Sequence, residues 1–151
     1  MQEKFDDSGV RVEDVERGLS LIEKKDNPFV LEIGCAYGRE AKEILKHTNN
    51  YLGIDIAEEF IKLARTEVPQ GTFEVADIET FTFPKNIDLI FAFASLLHSD
   101  KEAMRSILAR AHDALNPGGV FYLSLKKAKY QKWLKKDKFG VRTFYYYEVK
   151  D

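Results

Sequence analysis

The stretch Glu32-Ile33-Gly34-Cys35-Ala36-Tyr37-Gly38 marks a change of hydrophobic period. Before it, Phe29 to Ile33 forms a short apolar run, the pattern of a strand buried on both faces. After it, Ala41, Ile44 and Leu45 form the stripe of a helix. Small residues at 34, 36 and 38 let the backbone turn tightly and let a ligand approach without meeting a Cβ. The turn also feeds a helix N-terminus, whose free N–H groups favour acceptor atoms such as a carboxylate. Chain reversal alone would use the same residues, so the flanking sequence has to decide between the two.

Outward from this turn the alternation repeats. Val12, Val15, Leu19 and Ile22 mark a leading helix within residues 1–27, stopped by Asp26-Asn27-Pro28. Tyr51 to Ile56 reads as a second strand, followed by a short helix at Phe60, Ile61 and Ala64 that Pro69-Gln70-Gly71 closes. Thr72–Ala76 and Ile87–Phe93 read as the third and fourth strands. Met104, Ile107, Leu108, Ala111 and Leu115 mark a longer helix ending at Asn116-Pro117-Gly118-Gly119, and Val120–Leu125 is a fifth strand. Strands alternating with helices over short connections predict an α/β domain spanning 1–151, with a mainly parallel sheet covered on both faces. Ligands of such sheets sit beyond the carboxyl ends of the strands, where strand order reverses.

Two further acids fall at predicted strand ends. Asp55 follows the turn by about 20 residues, the place from which a carboxylate accepts ribose hydroxyls in nucleotide folds. It also fits a cap for the helix starting at Ala57. Asp77 ends the third strand and equally suits a strand-end turn. A dinucleotide fingerprint would need glycine at the sixth position from Gly34, which is Arg39, so a nucleotide-linked oxidoreductase is disfavoured.

An acid two residues before the first glycine, then small residues at alternate positions, resembles motif I of the class I S-adenosylmethionine-dependent methyltransferases. Asp88 to Ser95 resembles the family's motif IV, and Leu115-Asn116-Pro117-Gly118-Gly119 its turn into strand five. The resemblance covers Val10 to Leu125 and implies a three-layer Rossmann-like sandwich with strand order 3-2-1-4-5. It implies S-adenosylmethionine as cofactor and S-adenosylhomocysteine as product. The implied binding residues are Glu32, Gly34, Cys35, Ala36, Tyr37 and Gly38 in the turn, then Asp55, Ile56, Asp77, Ile78, Phe93 and Ala94. Asp55 would take the ribose hydroxyls and Asp77 the adenine amino group. Ile56 and Ile78 would sandwich the ring, while Phe93 and Ala94 offer backbone to the methionine end. The family usually has glycine where this chain has Ala36, which adds a methyl group beside the ligand path. Full members continue past strand five into more helix and an antiparallel hairpin, whereas 26 residues follow Leu125 in this chain of 151. The expectation is a shortened, five-stranded sheet without that hairpin. Its outer edge is then covered by Phe144, Tyr145, Tyr146 and Tyr147 or left to pair with a second copy.

Methyl transfer mainly requires donor and acceptor to be aligned and water excluded, so a catalytic side chain is needed only if the acceptor loses a proton. His98, after the fourth strand, is the candidate base. It also reads as a polar residue near the next helix start, with Ser99 or Asp100 as cap. His47 and His112 fall on helices as surface positions. The Tyr37 ring could lie near a sulfonium cation or pack over the turn. Lys126, Lys127, Lys129, Lys132, Lys135, Lys136, Lys138 and Arg142 crowd a basic, aromatic segment over 126–151. That segment reads as a solvated loop, a lid over an anionic acceptor, or a nucleic-acid contact. A net charge of −2 gives no global pull toward nucleic acid or anionic membrane.

A single cysteine leaves no intrachain disulfide and no cysteine-built metal site, and no metal is expected. The longest apolar stretch, Leu89 to Leu97, falls short of the roughly 20 residues of a spanning helix. The polar, acidic N-terminus does not read as a signal peptide, so the expectation is a cytoplasmic methyltransferase acting on a small-molecule acceptor. The competing class is a non-catalytic domain that keeps the fold and binds a partner through the sheet edge.

Overall fold

The computed structural model describes residues 9–137, 140–148 and 150. Five strands, β1 (Val30–Ile33), β2 (Tyr51–Asp55), β3 (Thr72–Val75), β4 (Ile87–Phe93) and β5 (Leu115–Ser124), form one sheet in the order β3-β2-β1-β4-β5. Every pairing in it is parallel. Strand order reverses at β1, which has β2 on one side and β4 on the other. The expected architecture and strand order are those observed.

Side chains alternate across a strand, and this alternation sorts the apolar residues into two layers. Leu31, Ile33, Ile90 and Ala92 pack against Met104, Ile107 and Ala111 of α4 (Lys101–Ala114). Val30, Leu89 and Phe91 face the other way, onto Val15 of α1 (Val12–Leu21), Ile44 of α2 (Ala41–Ile44) and Ile61 of α3 (Glu58–Glu67). Burial on both faces is why β1 and β4 read as apolar runs, each interrupted by one acid, Glu32 and Asp88. A 3₁₀ turn, Leu96–His98, leads from β4 to α4, whose cap is Asp100, accepting the Ala103 N–H at 2.9 Å. No helix among the described residues is long and apolar enough to cross a membrane.

Two expectations are corrected. Asn116-Pro117-Gly118-Gly119 is not a turn preceding the fifth strand but an irregularity inside it: Leu115 pairs with Ile87, whereas Val120 pairs with Leu89. Gly118 takes φ +78°, and the Asn116 amide donates to the Asp88 carboxylate at 2.9 Å, which holds the early part of β5 in place.

The second correction concerns the basic segment, which is not a loop. β6 (Gln131–Asp137) pairs antiparallel with β7 (Gly140–Tyr146) as a separate two-stranded sheet. Cross-strand neighbours such as Trp133 and Phe144 supply the aromatic pairing that a hairpin needs, while lysines between them obscured the pattern. A C-terminal hairpin is therefore present, although it leaves the main sheet at five strands. Phe144 and Tyr147 are buried, and Tyr145 packs against the α4-side core. These aromatics shield that core rather than hydrogen-bond along β5; an isolated bridge joins Lys127 to Tyr147.

Candidate functional site

The turn after β1 is anchored to its neighbour, because Gly34 and Cys35 both donate to the Ile54 carbonyl, at 2.8 and 3.0 Å. Gly34 has φ +73°, and a Cβ there would lie 2.3 Å from the Ser95 Cβ. Glycine is required on both counts, and the contact brings the loop after β4 against the turn after β1. Ala36 also occupies the left-handed region, at φ +48°, where an L-residue is strained by about 1–2 kcal/mol. Gly38, at φ +88°, closes the turn onto α3, its absent Cβ making room for Val68.

Asp55 ends β2 with both oxygens engaged: Oδ2 accepts the Ala36 N–H and Oδ1 the Ala57 N–H, each at 2.9 Å. It thus ties the residue before α3 and the turn together, and each carboxylate oxygen keeps a second lone pair. Asp77 follows β3 on an exposed turn and accepts the Glu79 N–H at 2.9 Å. That turn is clamped from α4 by Arg110, which donates to the carbonyls of Ile78, Glu79 and Phe81 at 2.9, 3.1 and 2.7 Å. Nothing in the sequence singled Arg110 out.

These elements enclose a cleft of about 710 Å³ at the carboxyl ends of the strands, within the roughly 300–1,000 Å³ of small-molecule sites. Of the expected site residues, Gly34, Ala36, Tyr37, Asp55, Ile56, Asp77, Ile78, Phe93, Ala94 and His98 line it. Ile56 is 68% exposed there, an apolar side chain open to solvent in a concave site. The Tyr37 hydroxyl and the Ser95 Oγ are buried without a hydrogen-bond partner among the described residues. The Ala94 N–H is held by the Ser124 hydroxyl at 2.9 Å.

Glu32, Cys35 and Gly38 do not line the cleft. Glu32 shares strand parity with Val30 and enters the same buried layer, 1% exposed, where its Oε2 accepts the Tyr51 hydroxyl at 2.6 Å. Burial, foremost, pushes its carboxyl up to about 8, against the lowering effect of the Tyr51 bond, with the charge of Glu40 adding to the rise. Cys35 is fully buried, and burial pushes its thiol up, so it stays protonated. Two of the three strand-terminal carboxylates therefore open on the cleft, and the third supports it from the core.

His98 is exposed at the end of the 3₁₀ turn, with Nδ1 2.7 Å from the Thr143 carbonyl and its ring 4.9 Å from that of Phe144. The hairpin therefore reaches the rim of the cleft, a neighbour that sequence alone did not supply.

Fold and cleft together define a Rossmann-like α/β protein with its site at the topological switch point. Residues 30–119, more than half of the chain, match the family model described as a methyltransferase domain, and the chain belongs to that family. It is 33% identical over 126 residues to an uncharacterized protein of Methanocaldococcus jannaschii, covering 82% of this chain and 47% of that one. It is 26% identical over 131 residues to the ubiquinone biosynthesis O-methyltransferase of Hydrogenovibrio crunogenus, covering 83% and 52%. The chain thus spans about half the length of these curated relatives. Among solved structures, an S-adenosylmethionine-dependent methyltransferase from Clostridium acetobutylicum superposes with a TM-score of 0.74 at 11% identity, over 92% of this chain and 74% of that one. At that identity the likeness speaks for the fold.

Proposed function

We propose that the chain binds S-adenosylmethionine in this cleft and directs its methyl group to a small-molecule acceptor. The observation that carries the reading is the opening of Asp55, Ile56, Asp77 and Ile78 on one cavity that Gly34 and Ala36 of the turn after β1 also line. Asp55 has lone pairs left for ribose hydroxyls, and Asp77 for an adenine amino group. Ile56, exposed in the cleft, and Ile78 offer the apolar walls that a base ring needs. The two orphaned hydroxyl oxygens, of Tyr37 and Ser95, add polar atoms for the remaining part of the molecule.

The bound cofactor supplies an electrophilic methyl group on a sulfonium whose leaving group is already a neutral thioether. What remains for the protein is alignment and the exclusion of water, which Phe60, Phe93 and the docked hairpin support at the rim. His98, on that rim, is the proton acceptor for an acceptor molecule that must lose one. A relative named as an O-methyltransferase favours a hydroxyl acceptor.

The test is equilibrium dialysis of the whole chain with radiolabelled S-adenosylmethionine, competed separately by S-adenosylhomocysteine and by NAD. Retention that S-adenosylhomocysteine removes and NAD does not is the expected result. No retention at millimolar ligand favours a non-catalytic, partner-binding domain, and competition by NAD the oxidoreductase reading.

A further inference from the structure

We propose that the C-terminal hairpin is a working part of the site: through the Thr143 carbonyl it holds His98 as the tautomer whose Nε2 is bare. The inference rests on the methyl-transfer reading and adds to it the state of the base and the class of acceptor.

A backbone carbonyl only accepts hydrogen bonds, so the 2.7 Å contact between it and Nδ1 requires the proton on Nδ1. In the neutral ring Nε2 then carries the lone pair and is the one atom able to take a proton. Free histidine favours the opposite tautomer, so the hairpin selects the form it bonds. A ring contact supports this arrangement. Phe144 stands 4.9 Å away at a 52° tilt and is itself buried. The backbone beside His98 is gripped from the same hairpin, since the Tyr147 hydroxyl donates to the carbonyl of Ser99. Tyr147 in turn is fixed by its own main chain, its N–H donating to Lys126 and its carbonyl accepting from Ala128, each at 3.2 Å. Ring and backbone are thus held by successive residues of one strand and its continuation.

A base so prepared is useful only to an acceptor with a proton on the attacking atom, so the class assigned is a protic acceptor. For a hydroxyl compound the step is a proton transfer: the O–H bond breaks, an Nε2–H bond forms, and the electron pair stays on the acceptor oxygen. Thr143 and Tyr147 act through His98 and are positioning residues.

The experiment is ¹⁵N-histidine NMR of the whole chain at a pH where the rings are neutral, with the His98 signals assigned by their loss in His98→Gln. Long-range correlations are expected to show a protonated Nδ1 and a bare Nε2 at this position. Tyr147→Phe and Phe144→Leu, which loosen the hairpin, are expected to move His98 toward the Nε2–H tautomer. A wild-type ring protonated on Nε2 would overturn the proposal, and so would a tautomer indifferent to both variants in folded protein. Should Phe144→Leu not fold, the wild-type ring and Tyr147→Phe decide. Binding of S-adenosylmethionine, measured alongside, is expected to be unchanged in Tyr147→Phe. Its absence from wild-type protein would sink the methyl-transfer reading while leaving the tautomer result to stand or fall alone.

Discussion

The Asp55 carboxylate accepts the N–H of Ala36 at 2.9 Å, so the residue at the end of β2 shapes the turn after β1. Two segments that line the cleft are thereby held by one side chain, whose other oxygen accepts the N–H of Ala57, the residue before α3. Asp55→Ala removes both backbone bonds and the charge-assisted bonds proposed to ribose. Binding of S-adenosylmethionine is expected to weaken by about 1.5–3 kcal/mol, roughly 10- to 150-fold, with a parallel loss of stability. Asp55→Asn, which keeps one acceptor oxygen, is expected to fall between. Calorimetric affinities that do not change would take Asp55 out of the site.

Ala36 carries a backbone strain that glycine would avoid. Its φ of +48° penalises any Cβ, so Ala36→Gly should stabilise the fold by up to about 1 kcal/mol, a rise in melting temperature of roughly 2–4 °C. The same change removes a methyl group from the ligand path and is expected to tighten cofactor binding. A lower melting temperature would show that the left-handed geometry costs nothing here.

Glu32 makes stability depend on pH in an uncommon direction. Its carboxyl titrates near 4.5 when unfolded and at about 8 in the buried layer, so the native state holds an extra proton between those values. The stability it contributes is full below about 4.5 and is lost as pH rises toward about 8, with a slope of at most ~1.4 kcal/mol per pH unit. Urea unfolding across this window is expected to show that decline in the wild type and its flattening in Glu32→Gln. An equal slope in both proteins would contradict it.

Arg110 holds the turn after β3 without itself lining the cleft. Its three bonds to the carbonyls of Ile78, Glu79 and Phe81 fix the turn that carries Asp77. Arg110→Ala is expected to destabilise by about 1.5–3 kcal/mol, as for hydrogen bonds from a charged donor, and to weaken cofactor binding without removing any cleft residue. Arg110→Lys, with one point charge for a planar fork, should recover part of the loss. Thermal melts and calorimetry together separate this from a purely structural effect, since wild-type affinity in folded Arg110→Ala would rule out positioning.

What was legible in the sequence depended on how local its cause was. β4 matches its reading residue for residue because seven apolar-dominated positions between breakers leave one solution. The turn at Gly34 was legible because a period change flanks it. The direction of Glu32 was not, since its burial depends on Tyr51, a partner on the neighbouring strand. Strand parity with Val30 was the available signal. Asp55 was open to a capping reading and Asp77 to a strand-end turn, each beside a ligand reading, and the geometry gives each backbone bonds while leaving lone pairs over. The hairpin was hidden because β6 carries three lysines around Trp133 and Leu134, which breaks any apolar alternation on the first of its two strands. Arg110 and the Thr143 contact with His98 had no local signal, as each joins segments about 30 or more residues apart.

The most direct measurement is a crystal structure of the chain grown with S-adenosylmethionine. Density for one adenosyl group is expected, its ribose on Asp55 and its base between Ile56 and Ile78. Density placed elsewhere, or a cleft left empty at saturating ligand, would contradict the proposed function.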